Sequence, residues 1–331
     1  MMSKGVWILA EQRNGVVLDV SFELLTRGLL LASKLGVPLT AVLFGSGIAD
    51  KELNRLVERG ADRVVFADAP ELASFLPEPY TACLCSLIER EDPDIVLAAA
   101  TTSGRTVMPC AAARLRAGLT ADCTSLDIEE DTGLLLQTRP AAGGNIMATI
   151  KTPERRPQMA TVRPHSERPA PVVPGRTGEL IRWRPEPSLL SSRVRRISYK
   201  AFDEARTIQD ADIVVAVGRG FKRGENVALA SKLADVLGGA VGASREAVDR
   251  GWAPYSWQVG LSGKTVSPKL YIAVGVSGAV QHLAGMQTSE TIVAINNDSE
   301  APIFLYSELG LCGDLFELLP MLTEKLQARK G

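Results

Sequence analysis

Short apolar runs alternate with longer amphipathic stretches through the first hundred residues. Val6–Ala10, Leu39–Phe44, Arg63–Phe66 and Ile95–Ala99 read as buried strands. Ser21–Leu35, Asp50–Arg59 and Pro79–Glu91, lying between them, carry helical periodicity. This alternation predicts a parallel sheet flanked by helices. Leu134–Arg139, Asn145–Ile150 and Gln158–Val162 follow without helices between them and predict an antiparallel extension, with Gly143-Gly144 as a turn. From Pro153 to Pro187 the pattern dissolves: eight of the 19 prolines fall here, interleaved with Arg and Glu, as suits an extended linker.

The βα alternation then restarts. Ile213–Val217 predicts a strand, Glu225–Leu237 a helix, Ala240–Val241 a short strand and Leu270–Val274 another. A helix from Ala279, strands Ile292–Ile295 and Ile303–Tyr306, and a terminal helix from Asp314 complete the series. The expected fold is α/β with two domains. Residues 1–187 form a parallel sheet with an antiparallel extension and end in the linker 153–187; residues 188–331 form a doubly wound domain. Ligands of such sheets bind outside the carboxyl ends of the strands.

Composition narrows the function. The chain has 331 residues, 46% hydrophobic, enough for sizeable cores. A net charge of −1 gives no long-range pull toward nucleic acid or an anionic membrane, and 5% aromatics offers little base-stacking surface. No apolar run is long enough to span a bilayer, and Lys4 is followed at once by the strand-like VWILA, so neither membrane insertion nor a targeting segment is expected. Cys83, Cys85, Cys110, Cys123 and Cys312 are scattered without paired spacing, which favours a reducing, cytoplasmic setting and buried thiols.

The segment Pro268–Asn296 concentrates the chemistry. A strand, the turn Gly275-Val276-Ser277-Gly278, a helix with Gln281-His282 and a second strand ending in Asn296 make a pocket for an anionic group, with Ser277 placed to cap the helix. Gly218-Arg219-Gly220 follows a strand too, but in GRGFKRG the third glycine comes one residue late for a dinucleotide fingerprint. Ser244-Arg245 also closes a strand. The run Gln258–Thr265 ends in Gly-Lys-Thr yet has Gln258 where a phosphate loop needs glycine, and Pro268 precludes the long helix that should follow, so ATP hydrolysis is rejected. Thr101–Arg105 resembles an anion-binding turn. His165, among the prolines, carries no role.

Tyr271, Gly275, Ser277, Gly278, Gln281, His282, Gly285 and Asn296 stand at the spacing of the electron-transfer flavoprotein α-subunit signature, and the chain resembles that family, densely in its second half and more loosely in its first. The resemblance implies a nucleotide α-hydrolase-like first domain that packs on a β subunit, with the hairpin Arg139–Asn145 shaping the interface, and a second domain that binds FAD. It implies that Arg219 contacts the diphosphate–adenosine portion of FAD and that Ser244 and Arg245 lie by the isoalloxazine. Val259, Gly260, Leu261 and Ser262 form a loop touching the flavin, with the Ser262 hydroxyl at N5. Ser277, Gly278, Ala279, Val280, Gln281 and His282 wrap flavin and pyrophosphate, His282 near the C2 carbonyl. Asn296, Asp314 and Leu315 hold the ribityl and adenosine parts, although Asp314 reads equally well as a helix cap.

A fixed Arg245 charge and an imidazole donor would both favour the reduced flavin. The implied function is an electron carrier, not a classical enzyme, taking electrons from acyl-CoA dehydrogenases or similar flavin dehydrogenases. The residues seen tune a potential and supply no nucleophile, triad or metal cluster. Many family members have Gln-Thr where this chain has Leu261-Ser262; a Leu-Ser version occurs in members associated with electron bifurcation. The alternative is therefore the shuttle-flavin subunit of an NADH-dependent bifurcating complex. A plain nucleotide-binding or regulatory module of the same fold remains a third reading, which a flavin spectrum would dispose of.

Overall fold

The computed structural model describes residues 5–141, 147–198, 208–209 and 211–330, and the chain divides into two compact units, Met1–Lys200 and Ala201–Gly331. The first unit runs β1 (Val6–Ala10), a small hairpin β2 (Gln12–Arg13) and β3 (Val16–Val17), α1 (Asp19–Leu35), β4 (Leu39–Gly45), α2 (Asp50–Glu58), β5 (Arg63–Asp68), α3 (Pro77–Glu91) and β6 (Ile95–Ala99). It continues through α4 (Thr102–Leu115), β7 (Leu119–Cys123), β8 (Ser125–Ile128), β9 (Leu135–Pro140), β10 (Met147–Ile150), β11 (Gln158–Val162) and β12 (Glu179–Trp183).

Seven of these strands form one parallel sheet in the order β12-β5-β4-β1-β6-β11-β7. Every residue of β1, β4 and β6 is buried, as a sheet covered on both faces requires. The even-numbered residues Val6, Ile8 and Ala10 face one core, while Trp7 and Leu9 face the other. Helix α1 ends at Gly36, whose φ of 64° makes the left-handed turn that satisfies its last carbonyls.

The proline-rich stretch is not a linker. Its first strand, β11, sits between β6 and β7 in the sheet interior with all five residues buried, and β12 pairs in parallel with β5 at the edge. Buried Gln158 accepts the Leu135 N–H on its Oε1 at 2.8 Å, while its Nε2 is buried without a partner among the described residues. The segment between the two strands is fastened to the unit, with Ala170 N–H donating to the Phe22 carbonyl and Val173 N–H to that of Glu58. Prolines in such a path lose only donors that no ladder needs. The antiparallel extension exists, but as β8-β9-β10 and without β11. The expected Gly143-Gly144 turn lies outside the described residues, as does Asn145.

Helix α4 and strands β7, β8 and β12 were not foreseen. At Thr101–Arg105 the chain opens α4 and does not offer an empty anion cradle. Thr101 accepts the Gly104 N–H at 3.1 Å, and its own hydroxyl donates to Glu11 Oε1 at 2.5 Å. Cys83, Cys85 and Cys123 are buried, as expected, and burial pushes the Cys83 and Cys123 thiols up to about 12; Cys110 and Cys312 are exposed, and all five are free.

The second unit contains β13 (Ile213–Val217), α5 (Val227–Leu237), β14 (Ala240–Ala243), α6 (Arg245–Asp249), β15 (Leu270–Val274), α7 (Val280–Leu283), β16 (Thr291–Asn296), β17 (Leu309–Cys312) and α8 (Leu315–Lys330). Its five strands are parallel in the order β14-β13-β15-β16-β17. The order reverses between β13 and β15, which makes a topological switch point there. Val215, Val217, Ile272 and Val274 face α5 and α8; Val214, Ala216, Tyr271 and Ala273 face the turns around α7. Ile303–Tyr306 is not a strand: Pro302–Tyr306 forms a 3-10 helix, started by its proline, and β17 follows it. Among the described residues no helix is long and apolar enough to cross a membrane, and no cluster of His, Cys, Asp or Glu is placed to hold a metal ion.

Candidate functional site

The carboxyl ends of the five strands collect the expected residues of the second unit. The turn after β13 and the turn after β15 meet backbone to backbone. Gly218 N–H donates to the Val274 carbonyl at 2.9 Å and Gly220 N–H to the Gly275 carbonyl at 3.0 Å. A Cβ on Gly218 would lie 2.1 Å from the Gly275 oxygen, and one on Gly220 2.7 Å from the Gly275 Cα. Gly275 itself has a φ of 60°. The fingerprint spacing is imperfect, but the physical role of its glycines, close approach at the switch point, is met.

Two guanidiniums stand free of the surface here. The Arg219 side chain is 71% exposed and lies 3.7 Å from Glu246; that of Arg245 is 72% exposed and lies 3.3 Å from Asp249. Pairs this exposed hold their partners weakly, so both cations can turn toward an anionic ligand. Ser244 caps α6, its Oγ accepting the Ala247 N–H at 3.4 Å, and its own N–H donates to the Val217 carbonyl.

The loop of Val259, Gly260, Leu261 and Ser262 is held at both ends. Val259 N–H donates to the Ala243 carbonyl at the end of β14, and Leu261 N–H to the Gln281 carbonyl at 2.7 Å. Gly260, at φ 138°, approaches so closely that a Cβ would stand 2.7 Å from the Gln281 oxygen. Gln258, buried beneath, donates from Nε2 to Ser262 Oγ at 3.0 Å. The Ser262 oxygen is thereby an acceptor from Gln258, and its own proton is left to point elsewhere.

Ser277 does not cap a helix. Gly278, at φ 86°, turns the chain first, so α7 begins at Val280, preceded by Ala279, and no side chain caps it. The Ser277 carbonyl instead accepts the Ile303 N–H, and a Cβ on Gly278 would strike that nitrogen at 2.3 Å. Ser277, Ala279, Val280 and Gln281 are exposed, whereas His282 is buried. Its Nε2 lies 2.9 Å from the Tyr271 hydroxyl, and its Nδ1 is buried without a hydrogen-bond partner. Burial pushes the imidazole down to about 4, against a smaller upward pull from the Val259 carbonyl. His282 is therefore neutral at pH 7.

Asn296 is committed to the fold: its Nδ2 donates to the Val276 carbonyl at 2.9 Å and its Oδ1 accepts the Asp298 N–H at 3.0 Å. Asp314 caps α8, accepting the Phe316 N–H at 2.9 Å, and leaves its second oxygen for other work. Leu315 is buried, and its Cδ2 lies under the Gly220–Gly275 contact. Two residues with a part in the site had been given no role from sequence, Tyr271 and Gln258. The second was visible only as the residue that spoiled a phosphate-loop match.

A glycine-lined switch point, two exposed cations, a hydroxyl held from behind and one buried ring nitrogen without a hydrogen-bond partner suit an extended ligand with an anionic middle and a polar, electron-accepting ring. FAD fits that description. A family model described as electron transfer flavoprotein domain matches residues 6–188, and one described as electron transfer flavoprotein FAD-binding domain matches residues 207–287. The electron transfer flavoprotein subunit alpha of Thermoanaerobacterium thermosaccharolyticum is 46% identical over 99% of both chains. That of Megasphaera elsdenii is 44% identical, covering 99% of this chain and 98% of its own. The lactate dehydrogenase (NAD(+),ferredoxin) subunit LctC of Acetobacterium woodii is 40% identical over 98% of this chain and 77% of its own.

Proposed function

The chain belongs to the electron transfer flavoprotein α-subunit family, and from that premise we propose that its second unit binds FAD and, joined to a β subunit, relays electrons from acyl-CoA dehydrogenases or similar flavin dehydrogenases to a downstream acceptor. The observation that carries the reading is the unpartnered His282 Nδ1 beside a loop pinned at both ends. Bound FAD supplies the electron-accepting ring; the chain supplies binding, orientation and electrostatics.

Gly218, Gly220 and Gly275, whose own N–H groups are spent on the Val274, Gly275 and Ile295 carbonyls, keep the two turns close and bare of side chains where the pyrophosphate would lie, with Arg219 as its counter-charge. Arg245 sets a permanent positive charge beside the ring. Ser262 presents its hydroxyl from an oxygen already anchored by Gln258. His282, neutral and in a dry setting, contributes a dipole and not a charge, so its help to the reduced ring does not fade between pH 6 and 8. We assign β-subunit docking to the first unit and, from the free thiols, a reducing cytoplasmic setting.

The test is a visible spectrum of this chain co-purified with its β subunit. Flavin bands with one FAD per heterodimer support the simple carrier; a colourless pair that stays so with excess FAD rejects flavin binding. A second reading is favoured by Leu261-Ser262 and by the relative whose name couples NAD(+) and ferredoxin. In that reading the chain carries the shuttle flavin of a bifurcating complex, and two FAD per heterodimer, with NADH-driven reduction of a low-potential acceptor, would support it.

A further inference from the structure

Tyr271 lies on β15, fully buried, with its hydroxyl against His282 Nε2 at 2.9 Å. Among the described residues that hydroxyl has no second partner. The contact can run in either direction, and the two directions leave different debts. If Nε2–H donates to the phenol, the phenolic proton is stranded in a dry interior, and Nδ1 becomes a bare acceptor. If the phenol donates to Nε2, the hydroxyl is satisfied, and the one proton of the neutral ring sits on Nδ1. A stranded buried donor costs about 1–3 kcal/mol. The Val259 carbonyl favours a proton on the ring as well.

The second arrangement leaves Nδ1–H without a hydrogen bond of ordinary geometry, with only the weaker pull of the Val259 carbonyl acting on the ring. Among the described residues Nδ1 is the one buried side-chain polar atom of the second unit without a partner; the others so placed belong to the first. A lone orphan in an otherwise satisfied unit, next to the loop at Val259, marks where an acceptor from outside the chain docks.

We propose that Tyr271 is a positioning residue: its hydroxyl donates to Nε2 and so fixes His282 as the Nδ1–H tautomer, and that Nδ1–H is the donor the chain offers to the ring of its flavin. The ligand clause rests on the flavin reading above; the tautomer clause does not. Among the described residues the Tyr271 hydroxyl bonds to His282, and the rest of its ring packs in the apolar core. Its effect reaches the cofactor by keeping the imidazole proton on the nitrogen that has no protein partner, and by holding the ring plane against rotation. A phenylalanine at 271 fills the same space and removes only the hydroxyl.

The experiment is nitrogen-15 NMR of the histidines in the full-length chain with its β subunit, before and after removal of flavin. The two histidines of this chain are recognised as the signals lost in His165→Gln and in His282→Gln. The expected spectrum of the flavin-free protein has His282 protonated at Nδ1 and unprotonated at Nε2. Tyr271→Phe is expected to mix the tautomers, to lower the flavin midpoint potential and to leave flavin content near one equivalent of the wild-type amount. A wild-type His282 protonated at Nε2 overturns the proposal, even where Tyr271→Phe fails to fold. An unchanged tautomer and potential in a folded, flavin-loaded Tyr271→Phe overturns it too. A protein that takes up no flavin at all would instead sink the functional reading and leave the tautomer to the spectrum.

Discussion

Gly218 and Gly275 lie back to back at the switch point of the second sheet, and a methyl group on Gly218 would come within 2.1 Å of the Gly275 carbonyl oxygen. Neither backbone can yield without moving the end of β13 or β15. Gly218→Ala is therefore expected to separate the two turns, at a cost toward the upper end of the range of about 0.5–3 kcal/mol usual for single substitutions. Flavin content should fall with it, because the crevice proposed for the ligand opens at this switch point. Gly238→Ala is the contrasting control: that residue has a φ of 73°, where Gly218 has −107°, and open space around it, so only the strain of about 1–2 kcal/mol should appear, with flavin retained. Thermal unfolding and the flavin-to-protein absorbance ratio of the two variants check this.

Gln258, buried, donates its amide N–H to the hydroxyl of Ser262, which is exposed. Ser262→Ala then removes two things at once, the hydroxyl proposed to face the ligand and the acceptor of the Gln258 N–H, a hydrogen bond worth about 0.5–1.5 kcal/mol. Ser262→Ala is expected to lower stability even in the flavin-free protein, and Gln258→Met with Ser262→Ala to recover part of it. Denaturant unfolding of the flavin-free single and double variants measures the coupling. Additive losses would show that the amide had no stake in the hydroxyl.

The central strands β1, β4, β6, β13 and β15 were legible because each is a compact, largely buried apolar run, and β15 falls where Leu270–Val274 placed it. The helix at α4 was not, since Thr102–Leu115 mixes small and polar residues around a proline and shows little periodic contrast. Residues 158–183 misled for a different reason. Their prolines describe the connections, while the strands they connect are only five residues each and take their stability from neighbours distant in sequence. In the site, backbone turns such as Gly218 and Gly275 announce themselves as glycines. Tyr271 did not, because a tyrosine inside a strand is ordinary until its hydroxyl is seen to end on an imidazole.

Two buried titratable groups should make the units respond to pH in opposite senses. Glu23 is raised from 4.5 to about 7 by burial, with Asp19 and Glu167 pushing the same way and the His165 N–H opposing. Between those values the folded first unit holds a proton that the unfolded chain has released, so its stability falls as pH rises, by about 3 kcal/mol in total at about 1.4 kcal/mol per unit. His282 is lowered from 6.5 to about 4, so the flavin-free second unit loses stability as pH falls across that window, by a similar amount. Hydrogen exchange resolved by unit, at pH 5, 6 and 7, should show protection falling in the first unit and rising in the second. Glu23→Gln should flatten the first trend alone.

Arg219 and Arg245 are both exposed cations, yet their expected consequences differ. Each is tied only to a surface carboxylate, Glu246 or Asp249, so removing either should change folding stability by less than about 0.5 kcal/mol. Arg219 follows β13, where the pyrophosphate is expected, and a phosphate charge is the same in every oxidation state. Arg219→Ala should therefore weaken FAD binding and leave its potential in place. Arg245 follows β14, on the side proposed for the ring, where charge changes on reduction, so Arg245→Ala should lower the potential. A tenfold loss of preference for the reduced form corresponds to about 59 mV for a one-electron step. Arg245→Lys should recover part of the shift, because a flexible ammonium keeps the charge without the planar fork. Potentiometric titration alongside equilibrium FAD binding separates the two. Equal losses of affinity with no change of potential in either variant would mean that neither guanidinium lies against the ring.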